Sequence, residues 1–329
     1  MKTERENYID VVRGIGIVLM ILGHIPLSAQ FDHYIHAFHM PMFFLISGFF
    51  FHKSSSWADA VSSIKKKARK LLIPYVVFGA VYYFIWCVFV RNENPLLPLK
   101  SVVFSNTDDH MPIGGALWFL TCMFLADTGY RLICMIATRK VRFALAGVIG
   151  ISGCYLSRLG YSIPWGGVPA IVAIGFYGMG DFAREYWNLI KQNAKRLNGV
   201  VLPIIFLALC GLIMKNGYIN MRIGSYGIVP LFWFNAIAFT LFMTLITEHL
   251  CSMVNRSKTQ IVRLLRDILN YLMFTGKESL YFLCLNQLFL WFFRNIVPDI
   301  FAKNAIMFFM TMTCITLFVL VKHKYVINR

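Results

Sequence analysis

The sequence contains few charged residues, and few of those are acidic. Only 14% of its 329 residues are charged, with 15 Asp and Glu against 32 Lys and Arg, while 58% are hydrophobic. Soluble globular domains carry about 25% charged residues, so this composition excludes an ordinary soluble protein. The gaps between the apolar runs are too short to form a soluble domain. We therefore predict an integral membrane protein with a single domain over residues 1–329.

Several sequence signatures of catalysis and metal binding are missing. We find no Gly-x4-Gly-Lys-Ser/Thr loop, no His-Glu-x-x-His, no Gly-x-Ser-x-Gly and no His-x4-Asp, which excludes the enzyme classes that depend on them. The eight cysteines are scattered singly through apolar runs without a Cys-x-x-Cys pair, which indicates packing residues. His33, His36 and His39 recur every third residue, but the outer two diverge by about 120° on a helix. We expect no metal.

Long apolar runs are what the chain does have. Their continuity favours helices over a β-barrel, whose strands alternate. With the N-terminus inside, 24 of the 32 Lys and Arg residues fall on the cytoplasmic side, as the positive-inside rule requires. We therefore predict an all-α polytopic bundle of about ten transmembrane helices with both termini cytoplasmic, and no nucleic-acid partner. The runs are centred near residues 17, 44, 80, 123, 150, 174, 206, 238, 282 and 312.

The first apolar run, "IDVVRGIGIVLMILGHIP" (9–26), carries an arginine and a histidine. On a continuous helix Arg13 and His24, eleven residues apart, lie on one face within about 20°. Asp10 precedes Arg13 by one turn and is spaced to pair with it. Ionisable groups inside a bilayer cost at least a few kcal/mol unless they face a polar cavity, so we predict such a cavity. Spacing alone equally allows Arg13 to snorkel and His24 to mark the helix end.

Five segments follow one another along the chain: "YIDVVRGIGIVLMILGH", "FHMPMFFLISGFFF" (38–51), "KKKARKLLIPY" (65–75), "GALWFLTCMFLAD" (115–127) and "GKESLYFLCLNQ" (276–287). Together they resemble the membrane-bound acyltransferase family 3. Its members begin with an aspartate, an Arg-Gly pair and a histidine eleven residues after the arginine. In the last segment many relatives have a histidine where this chain has Asn286.

This resemblance implies a reaction and a location. The chain is similar to short bacterial O-acetyltransferases of the cytoplasmic membrane, which transfer an acyl group, commonly acetyl from acetyl-CoA. The acceptor would be a hydroxyl of a sugar in a lipid-linked or cell-surface glycan. The resemblance implies the reaction more strongly than it implies the acceptor.

The residues suggest roles in that reaction. A sugar hydroxyl needs a base, and histidine, with an ordinary pKa of about 6.5, is suited to be one. We assign that role to His24, with Arg13 and Asp10 in the same site; a transient acetyl-His24 stays open. Arg13 would also bind the phosphates of the donor, together with basic residues of the third segment. These are Lys66, Lys67, Arg69 and Lys70, of which Lys66, Arg69 and Lys70 are our donor-binding candidates.

Four further residues are candidate substrate contacts: His39, Trp118, Glu278 and Asn286. Trp118 could instead anchor its helix at the membrane interface. Two other functions stay open. One is a proton-coupled transporter or flippase in which Asp10, Arg13 and His24 form a polar relay. The other is a non-catalytic glycan-binding membrane protein, in which His24 would be replaceable.

Overall fold

The structure, a computed structural model, is helical throughout its described part. No β-strand occurs in that part, apart from an isolated bridge between Asn220 and Ser225, so the all-α prediction is confirmed for it. The described residues are 7–89, 94–105, 111–194, 201–256, 260–300 and 302–327.

The helices follow one another with short connections. A π-helical turn occupies Ser101–Ser105, and 3-10 turns occupy Pro112–Leu117 and Pro164–Gly166. The α-helices are α1 Asn7–Leu22, α2 Ala29–His36, α3 His39–Phe49, α4 Trp57–Phe89, α5 Leu96–Lys100, α6 Trp118–Ile136, α7 Arg139–Arg158, α8 Gly167–Glu185, α9 Trp187–Ala194, α10 Val201–Lys215, α11 Val229–Arg256, α12 Gln260–Lys277, α13 Ser279–Ile296 and α14 Lys303–Ile327.

The predicted apolar runs all coincide with helices, since each of the ten centres lies inside one of them. Five helical stretches of the described residues are long and apolar enough to cross a membrane, and they indicate a membrane protein. The number of spans and the side of each terminus stay predictions. The five stretches are Trp57–Phe89, Pro112–Ile136, Pro164–Glu185, Val229–Val254 and Lys303–Tyr325.

The first helix is shorter than the sequence predicted. We expected one helix through residue 26, but α1 ends at Leu22. The amides of His24 and Ile25 then bond to carbonyl oxygens three residues back, each at 3.1 Å. Pro26 disfavours helical backbone at the residue before it, and Gly23 removes the side chain that would favour helix. The prediction that His24 lies on a continuous helix is therefore wrong, because it lies in the turn after α1.

Helix α12 is an amphipathic helix that the apolar runs did not reveal. Its sequence, QIVRLLRDILNYLMFTGK, is too rich in charge to read as a span. Leu269 is buried on the side that packs with Val11 of α1 and Val254 of α11, whereas Leu264 and Ile268 are exposed. Helical periodicity was the available signal.

The chain forms two compact units. The terminal unit comprises Met1–Ile35 and Ala238–Arg329, and the central unit comprises His36–Ile237; the boundary falls within α11. In the terminal unit α1 packs tightly on α12 and also contacts α13. Gly14 and Gly276 permit this, because a Cβ at either position would lie under 3.0 Å from a backbone carbonyl oxygen of the other helix.

The central unit is organised around α8, which packs against α3, α6 and α7. Small residues again allow the backbones to approach. A Cβ at Gly48 of α3 would clash with the carbonyl oxygen of Tyr177, and one at Gly180 of α8 would clash with that of Leu45. Close approach through small residues is the usual way in which membrane helices associate.

A buried ionic network ties the helices of the central unit together. Asp181, 1% exposed, accepts hydrogen bonds from Tyr130 at 2.8 Å and from Arg184 at 3.3 Å. Its second carboxylate oxygen also lies 3.0 Å from Arg142. A second carboxylate, Asp127, pairs with Lys67 at 3.0 Å and with Arg131 at 3.3 Å.

The arginines of this network also fix the connection between α3 and α4. Arg131 donates hydrogen bonds to the carbonyl oxygen of His52 at 3.1 Å and to the hydroxyl of Ser54 at 2.9 Å. Arg184 donates to the carbonyl oxygen of Phe51 at 2.6 Å. The connection is therefore clamped from α6 and from α8.

Asp181→Ala is expected to destabilise the protein strongly. Removing one partner of a buried, hydrogen-bonded ion pair costs about 3–5 kcal/mol, because the remaining charges stay buried without compensation. Thermal unfolding of the purified protein in detergent measures the loss. Asp299→Ala is the matched control, since Asp299 is 96% exposed and lies 3.7 Å from Lys303. An unchanged melting temperature for Asp181→Ala would contradict a stabilising role for the network.

Candidate functional site: a cavity at His24

A cavity of about 740 Å³ opens beside the turn that follows α1. His24, a half-buried residue, lines it together with a carboxylate, Asp32, and a guanidinium, Arg294. The remaining lining comes from the chain between α1 and α2. The lining residues are Gly23, His24, Ile25, Pro26, Leu27, Ser28, Ala29, Asp32 and Arg294. The cavity thus offers a potential base and both signs of charge to a polar molecule.

Two residues of α13 hold His24. The side-chain nitrogen of Gln287 lies 3.4 Å from Nε2 of the imidazole, and Nη2 of Arg294 donates to the carbonyl oxygen of His24 at 3.4 Å. These residues are seven apart, two helical turns, and so share one face of α13. At the start of α14, Asn304 donates to the carbonyl oxygen of Pro26 at 2.8 Å. The His24 turn is therefore fixed by two helices.

Arg13 and Asp10 pair as the sequence predicted. Nη1 of Arg13 lies 3.3 Å from Oδ1 of Asp10. The carboxylate is almost completely buried, with its side chain 1% exposed, while the side chain of Arg13 is 22% exposed. Nine residues separate Arg13 from the end of α1, about 14 Å along the axis. Arg13 is not among the residues that line the His24 cavity, so a cavity shared by the two stays a prediction.

The basic residues in the first part of α4 point in different directions. Lys67 turns into the central unit, 3.0 Å from Asp127 and 3.4 Å from the hydroxyl of Tyr177. Lys66, Arg69 and Lys70 are exposed. Lys67 therefore belongs to the buried network, and the other three keep the accessibility that a donor phosphate requires.

His39 and Trp118 are both buried in the central unit, 4% and 5% exposed. The ring of His39 meets that of His36 edge-on at 4.9 Å, and His36 lies 5.3 Å from the ring of Tyr218. Trp118 begins α6 and packs against Phe119. Burial of Trp118 does not support the alternative of an anchor at the membrane interface. Contact of either residue with a substrate stays a prediction.

Glu278 and Asn286 lie at the start of α13 and inside it, respectively. Glu278 precedes α13 and pairs with His323 at 3.1 Å; it does not line the His24 cavity. Asn286 is fully buried, and its Nδ2 donates to the carbonyl oxygens of Phe282 and Leu283 in its own helix. Its Oδ1 is buried without a hydrogen-bond partner. Neither placement bears on a substrate, and both assignments stay predictions.

The geometry adds residues that the sequence reasoning did not select. Asp32, Gln287 and Arg294 join His24 in the terminal unit. Gln287 follows Asn286 directly and was part of the recognised late segment, but nothing in the local spacing connects it with His24. Among the described residues, no group of three or more His, Cys, Asp or Glu side chains could hold a metal ion.

Comparison with known proteins bears on this arrangement as a whole. A family model described as an acyltransferase domain matches residues 6–321, nearly the whole chain, including both units. The chain belongs to acyltransferase family 3. Membership of this family confirms the resemblance that the five segments carried.

The chain also resembles a curated protein. Nodulation protein NolL of Mesorhizobium japonicum is 24% identical over 162 residues, which cover 45% of this chain and 41% of the relative. The chain therefore matches less than half the length of that relative. No solved structure matches the chain.

Proposed function

We propose that this acyltransferase transfers an acetyl group from acetyl-CoA to a hydroxyl of a sugar in a cell-surface or lipid-linked glycan, in the bacterial cytoplasmic membrane. The observation that carries the proposal is the imidazole of His24 on the wall of a cavity of about 740 Å³, which Asp32 and Arg294 also line, in a chain that belongs to an acyltransferase family. Family membership also favours acyl transfer over the transporter and the glycan-binding protein.

His24 serves as the general base in this proposal. The imidazole removes the proton of the acceptor hydroxyl as its oxygen attacks the thioester carbonyl. The tetrahedral intermediate collapses, the carbon–sulfur bond breaks, and the imidazolium returns the proton to the leaving CoA thiolate. The products are the O-acetyl sugar and CoA, so protons balance without a further reactant.

The cavity is suited to a sugar acceptor. Its wall combines one carboxylate, one guanidinium, the hydroxyl of Ser28 and several backbone groups, and sugars are bound by such mixed donors and acceptors. The transporter alternative would need several carboxylates in the cavity to pass protons along it. Among the described residues that line the cavity, Asp32 is the one carboxylate.

The donor carries phosphates, and each unit separately offers basic candidates that would bind a phosphate. In the central unit these are Lys66, Arg69 and Lys70, whose side chains are exposed. In the terminal unit Arg13, held against Asp10, would contribute a planar guanidinium that can bind a phosphate through two parallel hydrogen bonds.

Acetyl-CoA is expected to raise the melting temperature of the purified protein. A ligand that binds the native state at 100 times its Kd stabilises it by about 2.7 kcal/mol. The triple variant Lys66→Ala, Arg69→Ala, Lys70→Ala should need more acetyl-CoA for the same shift. Absence of any shift at saturating acetyl-CoA would contradict the donor assignment.

The acceptor is tested in the host. Mass spectrometry of surface and lipid-linked glycans, with and without the gene, should show that deletion of the gene removes one acetyl group from each modified sugar. Unchanged glycans in both fractions would overturn the assignment of a glycan acceptor.

A further inference from the structure

We infer that Gln287 is a positioning residue that sets the tautomer and orientation of His24; the inference rests on the proposed function. The observation is the 3.4 Å approach between the Gln287 amide nitrogen and Nε2 of His24. The spacing of residues in the first segment does not predict this contact, because the two residues are 263 positions apart in the sequence.

The backbone around Gln287 is a regular helix. The residue lies in the interior of α13 (Ser279–Ile296), next to the fully buried Asn286. Two turns further on, Arg294 holds the carbonyl oxygen of the same histidine. One helix face therefore fixes both the side chain and the main chain of His24, which restricts its rotation and its distance from α13.

A primary amide is suited to an imidazole that changes protonation. Its nitrogen donates and its oxygen accepts, so a turn of the amide serves either state of Nε2. The structure has the amide nitrogen toward Nε2. A half-turn of the amide brings its oxygen there, where it accepts a hydrogen bond from Nε2–H and stabilises the tautomer whose Nδ1 is basic. The same bond persists when the imidazole takes up the acceptor proton and becomes an imidazolium.

The charged groups beside His24 in this cavity are Asp32 and Arg294. Gln287 adds no charge, so it orients the imidazole without forming an ion pair with it. A glutamate in its place would favour the imidazolium, because an opposite charge within hydrogen-bond reach stabilises the charged form. This difference separates a positioning role from a structural one.

The test uses the full-length protein in three variants. The assay is transfer of radiolabelled acetyl from acetyl-CoA to the glycan fraction of host membranes, measured as kcat/KM across pH. Gln287→Met should lower kcat/KM by about 10- to 100-fold, which is less than the loss of about 10²- to 10⁴-fold that removal of the general base itself causes. Gln287→Glu should retain more activity, with the acidic limb of its pH profile moved to higher pH. Gln260→Met, the same change at an exposed position, should match the wild type.

The outcomes distinguish a failure of this inference from a failure of the proposed function. A Gln287→Met protein with wild-type kcat/KM, or a Gln287→Glu protein with an unmoved acidic limb, would overturn the positioning role. If His24→Ala retains transfer, the proposed base is wrong whatever Gln287 does. The amount of each variant in the membrane is quantified. If Gln287→Met does not accumulate there, the pH profile of Gln287→Glu tests the inference.

Discussion

Replacing His24 by alanine is expected to abolish acyl transfer while the protein stays in the membrane at normal abundance. The alanine removes the group that takes the proton from the acceptor, and general-base catalysis contributes about 10²- to 10⁴-fold. The fold should tolerate the change, since His24 is half-buried in a turn whose backbone is also held through Pro26 and Asn304. The measurement is acetyl transfer to host glycans per unit of membrane-inserted protein.

A second histidine provides the control. The side chain of His52 is exposed and contacts the carbonyl oxygen of Phe50 at 2.9 Å, so His52→Ala should transfer acetyl groups at the wild-type rate. Equal activity of His24→Ala and His52→Ala would exclude His24 as the base. A loss confined to His24→Ala would support the assignment.

Gly276→Ala is expected to cause the largest loss of stability in the terminal unit. A Cβ at this position would lie under 3.0 Å from the carbonyl oxygen of Asp10. Backbone atoms cannot move aside as a side chain can, so α1 and α12 must separate. Overpacking of this kind costs about 3 kcal/mol. The thermal midpoint of the protein in detergent measures the effect.

Gly211→Ala makes the same chemical change without the clash. Gly211 lies inside α10, and no atom lies within 4 Å of the Cβ that alanine would add. Alanine is favoured over glycine in a helix interior by about 0.5–1 kcal/mol, so this variant should be slightly more stable than wild type. A Gly276→Ala midpoint equal to that of Gly211→Ala would show that α1 and α12 do not pack as closely as described.

Features that depend on short sequence distances could be predicted. The pairing of Asp10 with Arg13 follows from their separation by one helical turn, and the structure has it at 3.3 Å. The apolar runs likewise predicted where helices occur, because continuous hydrophobicity is a local property. Membership of the acyltransferase family followed from five segments read in order.

Features that depend on where a helix ends, or on which way it is rotated, could not be predicted from the sequence. The sequence placed His24 on α1, but Gly23 and Pro26 end the helix before it. The helical spacing that would put His24 on the same face as Arg13 therefore does not apply. Lys67 and its neighbours Lys66 and Arg69 are alike as cytoplasmic basic residues. Only the rotation of α4 decides that Lys67 turns inward to Asp127.

Features that depend on contacts between distant segments gave no local signal. Gln287 reaches His24 because α13 packs against α1, and a glutamine in an apolar helix has many other possible uses. Helix α12 was missed for a different reason. Its arginines and Asp267 interrupt the hydrophobic run, although its leucines recur with helical spacing.

The ionic network of the central unit has a consequence for biosynthesis. Each of its aspartates leaves the ribosome after a cationic partner has already been made: Lys67 precedes Asp127, and Arg142 precedes Asp181. Each also has an arginine within four residues on its own helix. A nascent helix can therefore enter the translocon with its carboxylate already compensated, which lowers the barrier to membrane insertion before the bundle is complete.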